Sequence, residues 1–122
     1  MDDVGQLSVI NAQFIPACRM GSWRHLAPLL TPGFRYLDGA TGEQWEPARY
    51  LDDLQANPLP TLLIDQVVVH VEGDSATVSA RTCAQPGRYD RYLDSYVRDS
   101  SGAWRCYHAS VWPLKAERPP TP

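Results

Sequence analysis

Val4, Leu7, Ile10, Asn11, Phe14 and Cys18 fall at three- and four-residue steps, which predicts one face of an amphipathic helix. Pro16 lies inside that pattern and removes a backbone donor, so a kink or an early end is expected there. Gly21-Ser22 punctuates the chain, with Ser22 placed as the N-cap of a second helix. Trp23, Leu26, Ala27 and Leu30 repeat the helical spacing over two turns, and Thr31-Pro32-Gly33 stops it. A short strand, Phe34-Arg35-Tyr36-Leu37, follows and runs out at the carboxylate Asp38. Pro47 then suits the first turn of a third helix carrying Tyr50, Leu51 and Leu54, closed by Asn57-Pro58.

From residue 61 the period changes to two. TLLIDQVVVHVE, SATVSARTCA, RYDRYLDSYVR and AWRCYHASVWPL are separated by the turns Gly73-Asp74, Gln85-Pro86-Gly87 and Asp99-Ser100-Ser101-Gly102. Four long strands with short connections read as an antiparallel meander. Helices first and a long curved sheet afterwards make an α+β domain over residues 1–115. Three short helices cover the concave face of such a sheet only in part, which leaves a cone with an open mouth, a shape suited to small molecules. The tail AERPPTP, residues 116–122, has nothing to pack and is expected to be disordered.

The 122 residues suffice for one core and not for two. A net charge of −3 provides no field for nucleic acid or an anionic membrane. No apolar run reaches the length of a membrane span, and MDDVGQLSVI does not read as a secretory signal. Cys18, Cys83 and Cys106 are odd in number and widely spaced, which fits a reducing cytoplasm better than a disulfide framework. His25 and His70 stand alone, no ligand pair has metal-binding spacing, and no glycine-rich phosphate loop is present. Neither a metal nor another cofactor is expected.

With the helix–helix–strand stretch RMGSWRHLAPLLTPGFRYLDG and the closing hairpin RYLDSYVRDSSGAWRCYHASVWPL, the chain resembles the NTF2-like superfamily, an α+β cystatin-like cone. Within it the likeness is to SnoaL-like and DUF4440-type domains, over about residues 4–114. The superfamily includes isomerases, dehydratases, cyclases, assembly domains and transport factors, so the resemblance implies a fold more than an activity. Its ketosteroid isomerases place a catalytic base at the position of Asp38 and, at that of Asp94, an acid that an apolar site keeps protonated. Their oxyanion-hole tyrosine falls on Phe14, which has no donor, so that hole is incomplete here unless Tyr36, Tyr92 or Tyr107 replaces it.

Asp38 follows Phe34 and Tyr36 on one strand face and reads either as a base at the end of an aromatic wall or as an ordinary turn acid before Gly39. Asp94 alternates with Tyr92 and Tyr96 and reads as a pocket acid, or as a cross-strand partner of Arg81 or Arg105. Phe14, Trp23, Tyr36, Tyr92, Tyr96 and Tyr107 would shape the wall. The resemblance turns Tyr107, Ala109 and Val111 into the cone and puts Trp104, His108 and Trp112 on the convex face, where such domains dimerise. A bulge would reverse that parity. The leading expectation is a cofactor-free enzyme of proton transfer or hydration on an apolar carbonyl compound; the alternatives are a ligand-binding pocket without turnover and a dimeric assembly module.

Overall fold

The computed structural model describes residues 2–115; the tail at 116–122 lies outside them. Helix α1 (Asp3–Met20) is capped by the Asp2 carboxylate, which accepts from the Gly5 amide at 2.7 Å. The helix neither ends nor breaks off at Pro16. Pro16 and Ala12, whose carbonyl loses its partner, are both exposed, so water can satisfy that carbonyl while Phe14, Ile15 and Ala17 hold the buried side. Gly21 closes the helix at φ 66° in the left-handed region, and an added Cβ there would stand 3.0 Å from the Leu54 carbonyl oxygen.

The second helix is shorter than expected. Helix α2 spans Trp23–Leu26 and passes into a 3-10 turn at Ala27–Leu29. Ser22 makes no capping hydrogen bond; its hydroxyl pairs with His25 Nδ1 instead. Strand β1 already begins at Leu30 and runs to Asp38, so Thr31-Pro32-Gly33 lies within a strand rather than ending a helix. Strand β2 (Gln44–Trp45) is an added edge, and α3 (Pro47–Ala56) starts at its proline as expected. The long strands are β3 (Leu63–Glu72), β4 (Ser75–Gln85), β5 (Arg88–Arg98) and β6 (Trp104–Pro113).

These build one six-stranded sheet in the order β2-β1-β6-β5-β4-β3. The meander β3 to β6 is antiparallel, but β1 pairs with β6 in parallel, which makes the sheet mixed. Between the pairs Leu30–Cys106 and Arg35–His108 the register slips, and Pro32-Gly33 falls in that irregular stretch, where no ladder donor is needed. On the other side of β6, Tyr96 pairs with Cys106 and Ser95 with His108, so Tyr107 is the extra residue of a bulge. That bulge reverses the parity of β6. Trp104 and Cys106 before it, and Ala109 after it, all lie buried on the concave side. The core is the concave face under α1, α2 and α3, with Leu7, Phe14, Leu26, Phe34, Val78 and Tyr96 among its buried members.

Candidate functional site

A cavity of about 200 Å³ opens between the helices and the concave face of the sheet. Helix α1 contributes Phe14, Ile15 and Cys18 to its wall; α3 contributes Tyr50, Asp53 and Leu54. From the sheet come Tyr36 of β1, Thr82 and Ala84 of β4, and Ala109 and Val111 of β6. Strand β5 supplies Asp90, Tyr92 and Asp94, alternate residues that share its concave face. Tyr50 lies against both Phe34 and Tyr36, with ring centroids 5.1 and 5.0 Å apart, and Tyr36 lies 4.9 Å from Trp45. These rings make one side of the cavity rigid and aromatic.

Asp94 is the chemically distinctive member. It is 6% exposed, it lines the cavity, and among the described residues no hydrogen bond or ion pair reaches its carboxyl group. Burial alone pushes its pKa up to about 8, because a carboxylate without partners in a low-dielectric interior is costly. At neutral pH the group is therefore mostly a neutral acid, a donor aimed into an apolar space. The alternative of an arginine partner is not realised. Arg81 pairs with Asp65 at 2.6 Å and Arg105 with Asp99 at 3.1 Å, both away from Asp94.

The groups around it are also neutral. Tyr92 donates to the buried Asn11 Oδ1 at 2.6 Å, which ties α1 to β5 and leaves that phenol engaged. Burial, then the carboxylates of Asp38, Asp53, Asp90 and Asp94, push the Tyr36 phenol up to about 12. Burial and then Asp94 likewise raise the Cys18 thiol to about 11, so it is no thiolate nucleophile. Tyr96 lies fully in the core, and its hydroxyl is buried without a partner among the described residues.

The sequence-derived candidates divide accordingly. Phe14, Tyr36, Tyr92, Ala109, Val111 and Asp94 meet at one cavity. Tyr96 sits behind the wall, Trp23 is 39% exposed, and Tyr107, thrown outward by the bulge, is 44% exposed; none of the three lines the cavity. Asp38 keeps the concave parity of Tyr36, but it stands at the rim, outside the wall. There its Oδ1 accepts from the Ala40 amide at 2.9 Å, the turn-acid geometry. Trp104 is not on the convex face. It is buried in the core, its indole donates to Asp3 Oδ1 at 3.2 Å, and the Arg98 guanidinium lies over its ring. His108 and Trp112 do alternate with the concave residues Ala109 and Val111, and so face the convex side.

Three acidic or phenolic wall residues escaped the sequence reading. Asp90 continues the alternation of Tyr92 and Asp94 by one more step, so period two extended backwards along RYDRYLDSY would have found it. Burial, opposed by Arg88 and helped by Asp38, raises its pKa above the usual range. Tyr50 and Asp53 stand three apart on α3, and Leu54 and Asn57 complete that helical face. Among the described residues, no group of three or more His, Cys, Asp or Glu is arranged to hold a metal ion. No described helix is long and apolar enough to cross a membrane.

No family model and no curated protein matches the sequence. Solved structures do match in shape. An NTF2-like protein from Cytophaga hutchinsonii is similar at TM-score 0.81 and 14% identity, with 93% of this chain and all of that one covered. A Streptomyces avermitilis protein named a "putative dehydratase from the NTF2-like family" is similar at TM-score 0.74 and 19% identity, covering 93% of this chain and 97% of the other. A Parabacteroides distasonis protein named a "putative ketosteroid isomerase" follows at TM-score 0.70 and 15% identity, over 87% and 86% of the two chains. Identities this low establish the shape and leave the chemistry to the site. The chain has the NTF2-like, cystatin-like fold.

Proposed function

We propose that the cavity binds a small apolar carbonyl compound and that Asp94, held neutral, donates a hydrogen bond to the carbonyl oxygen. The observation that carries this reading is the buried, unpartnered Asp94 carboxyl on an otherwise mainly apolar and aromatic wall. A buried donor without an internal partner gains most from an acceptor brought by a ligand. The same donor stabilises negative charge on that oxygen when a proton leaves a carbon conjugated with the carbonyl at the far end of the ligand, which is the acid half of an extended enolisation. The accepting half belongs to the rim, where Asp38, Asp53 and Asp90 stand. Asp90 lies four residues before Asp94, roughly 13 Å along the strand. A base there acts at the far end of the ligand, not on the atom next to the oxygen. The names given to the Streptomyces and Parabacteroides proteins are compatible with this class of chemistry.

The test uses 4-methylacetophenone, one ring with one carbonyl, followed by NMR chemical shifts of the protein. Wild type should bind it at pH 6 and lose affinity as Asp94 ionises around its pKa of about 8. Asp94→Asn keeps an N–H donor, so its binding should no longer depend on pH, and Asp94→Leu should bind at least tenfold more weakly. In deuterated water, turnover would show as wild-type exchange of the ring-methyl hydrogens, which are conjugated with the carbonyl and lie toward the rim. Affinity indifferent to both pH and the Leu variant would overturn the role given to Asp94.

A further inference from the structure

The rim of the cavity holds more negative charge than one proton acceptor requires. Asp53 is exposed, Asp90 is half-buried and Asp94 is buried, so the three wall carboxyls mark a path from the mouth to the floor. Asp38 stands beside Asp90 closely enough for its charge to act on it. Against these, the wall carries no lysine, arginine or histidine among the described residues. Arg88, which is exposed and does not line the cavity, attracts Asp90, and that attraction only partly offsets what burial does to it. The Asp53 carboxyl accepts one hydrogen bond, from Asn57 Nδ2 at 3.0 Å, and neither it nor Asp90 has an ion pair among the described residues.

We infer that the ligand carries a basic nitrogen, with its carbonyl at Asp94 and its ammonium at the Asp53–Asp90 rim. This rests on the reading of the cavity given above and names the charge class of its ligand. The only charged groups an anion meets on the described wall are carboxyls, with no cation among them to neutralise it, so an anion is disfavoured there. The rim acids are not arranged to hold a metal ion, so the cation they suit is an organic one whose charge can sit between separated carboxylates. Asn57, also on the wall, has an amide oxygen that can accept a hydrogen bond from the ammonium. A single ring is the right scale, since about 200 Å³ exceeds the roughly 150 Å³ cavity that encloses benzene.

The experiment compares three probes that share one ring and one ketone: 4-acetylbenzylamine, 4-methylacetophenone and 4-acetylbenzoate, titrated at neutral pH and low salt. The amine should bind about tenfold more tightly than the methyl compound, and the benzoate at least tenfold more weakly. In the Asp53→Asn/Asp90→Asn double variant, with folding checked by circular dichroism, the amine-to-methyl affinity ratio should fall to about one. Added salt should lower the same ratio in wild type, a measurement that does not depend on the variant folding. Equal affinity for all three probes, or a preference for the benzoate, overturns the inference and leaves the carbonyl site standing. Failure of all three ketones to bind overturns the carbonyl site, and the inference with it.

Discussion

Asp94 sets the behaviour of the site at the level of single residues. Its pKa lies above the ordinary carboxylate value of 3.8, at about 8, so the folded protein binds a proton that the unfolded chain has already released. Stability from this group is fully present below about pH 4 and is lost as pH rises through about 8. Asp94→Asn should therefore stabilise the fold increasingly from pH 5 to pH 9, by a few kcal/mol at the alkaline end, since each tenfold change in proton affinity is worth about 1.4 kcal/mol. Urea unfolding of both proteins across that range measures it; parallel pH profiles would show that Asp94 is ionised throughout. Tyr92→Phe removes the donor to Asn11 and leaves a buried amide oxygen unpaired. Its expected cost is about 1–3 kcal/mol, read as a lower urea midpoint.

At the level of elements, strands β3 to β6 and the proline start of α3 were legible because alternation and turn chemistry are local signals. The early end of α2 was not, because Leu30 fits a helical step and is claimed by the parallel pairing with Cys106, a contact from the far end of the chain. The Tyr107 bulge was equally hidden: no residue type marks it, and it alone decides that Trp104 packs inside while Tyr107 points out. Gly39 shows how closely β1 and β6 approach beyond that bulge. An added Cβ there would lie 2.6 Å from Trp112 Cβ and 2.8 Å from the Val111 carbonyl oxygen. Gly39→Val should lower the thermal midpoint by several degrees, whereas Gly33→Val, where an added Cβ meets nothing within 4 Å, should lower it far less. Equal losses would remove the special constraint from the β1–β6 junction.

For the whole molecule, the described helices all pack on one face of a curved sheet, and the cavity exists because α1 and α3 do not close over the rest of the concave side. The cone was readable from the order of elements, and Tyr36, Tyr92 and Asp94 of the wall from strand parity. The rim was not, since it joins α3 to β5 across residues far apart in sequence. Two tryptophans separate core from surface. Trp104→Ala should cost about 3–5 kcal/mol as a core truncation. The dimer expected from the superfamily resemblance would instead use the convex face, so Trp112→Glu should leave the fold intact and convert a dimer to a monomer in sedimentation. A wild-type monomer would remove that assembly.

The most direct measurement is a pH titration of the Asp94 side-chain carboxyl carbon by ¹³C NMR, assigned by comparison with Asp94→Asn. A midpoint near 8 is the expected result, and it should shift when 4-methylacetophenone is bound. A midpoint near the ordinary 3.8 would mean a charged carboxylate at the cavity floor, contradicting a neutral donor there.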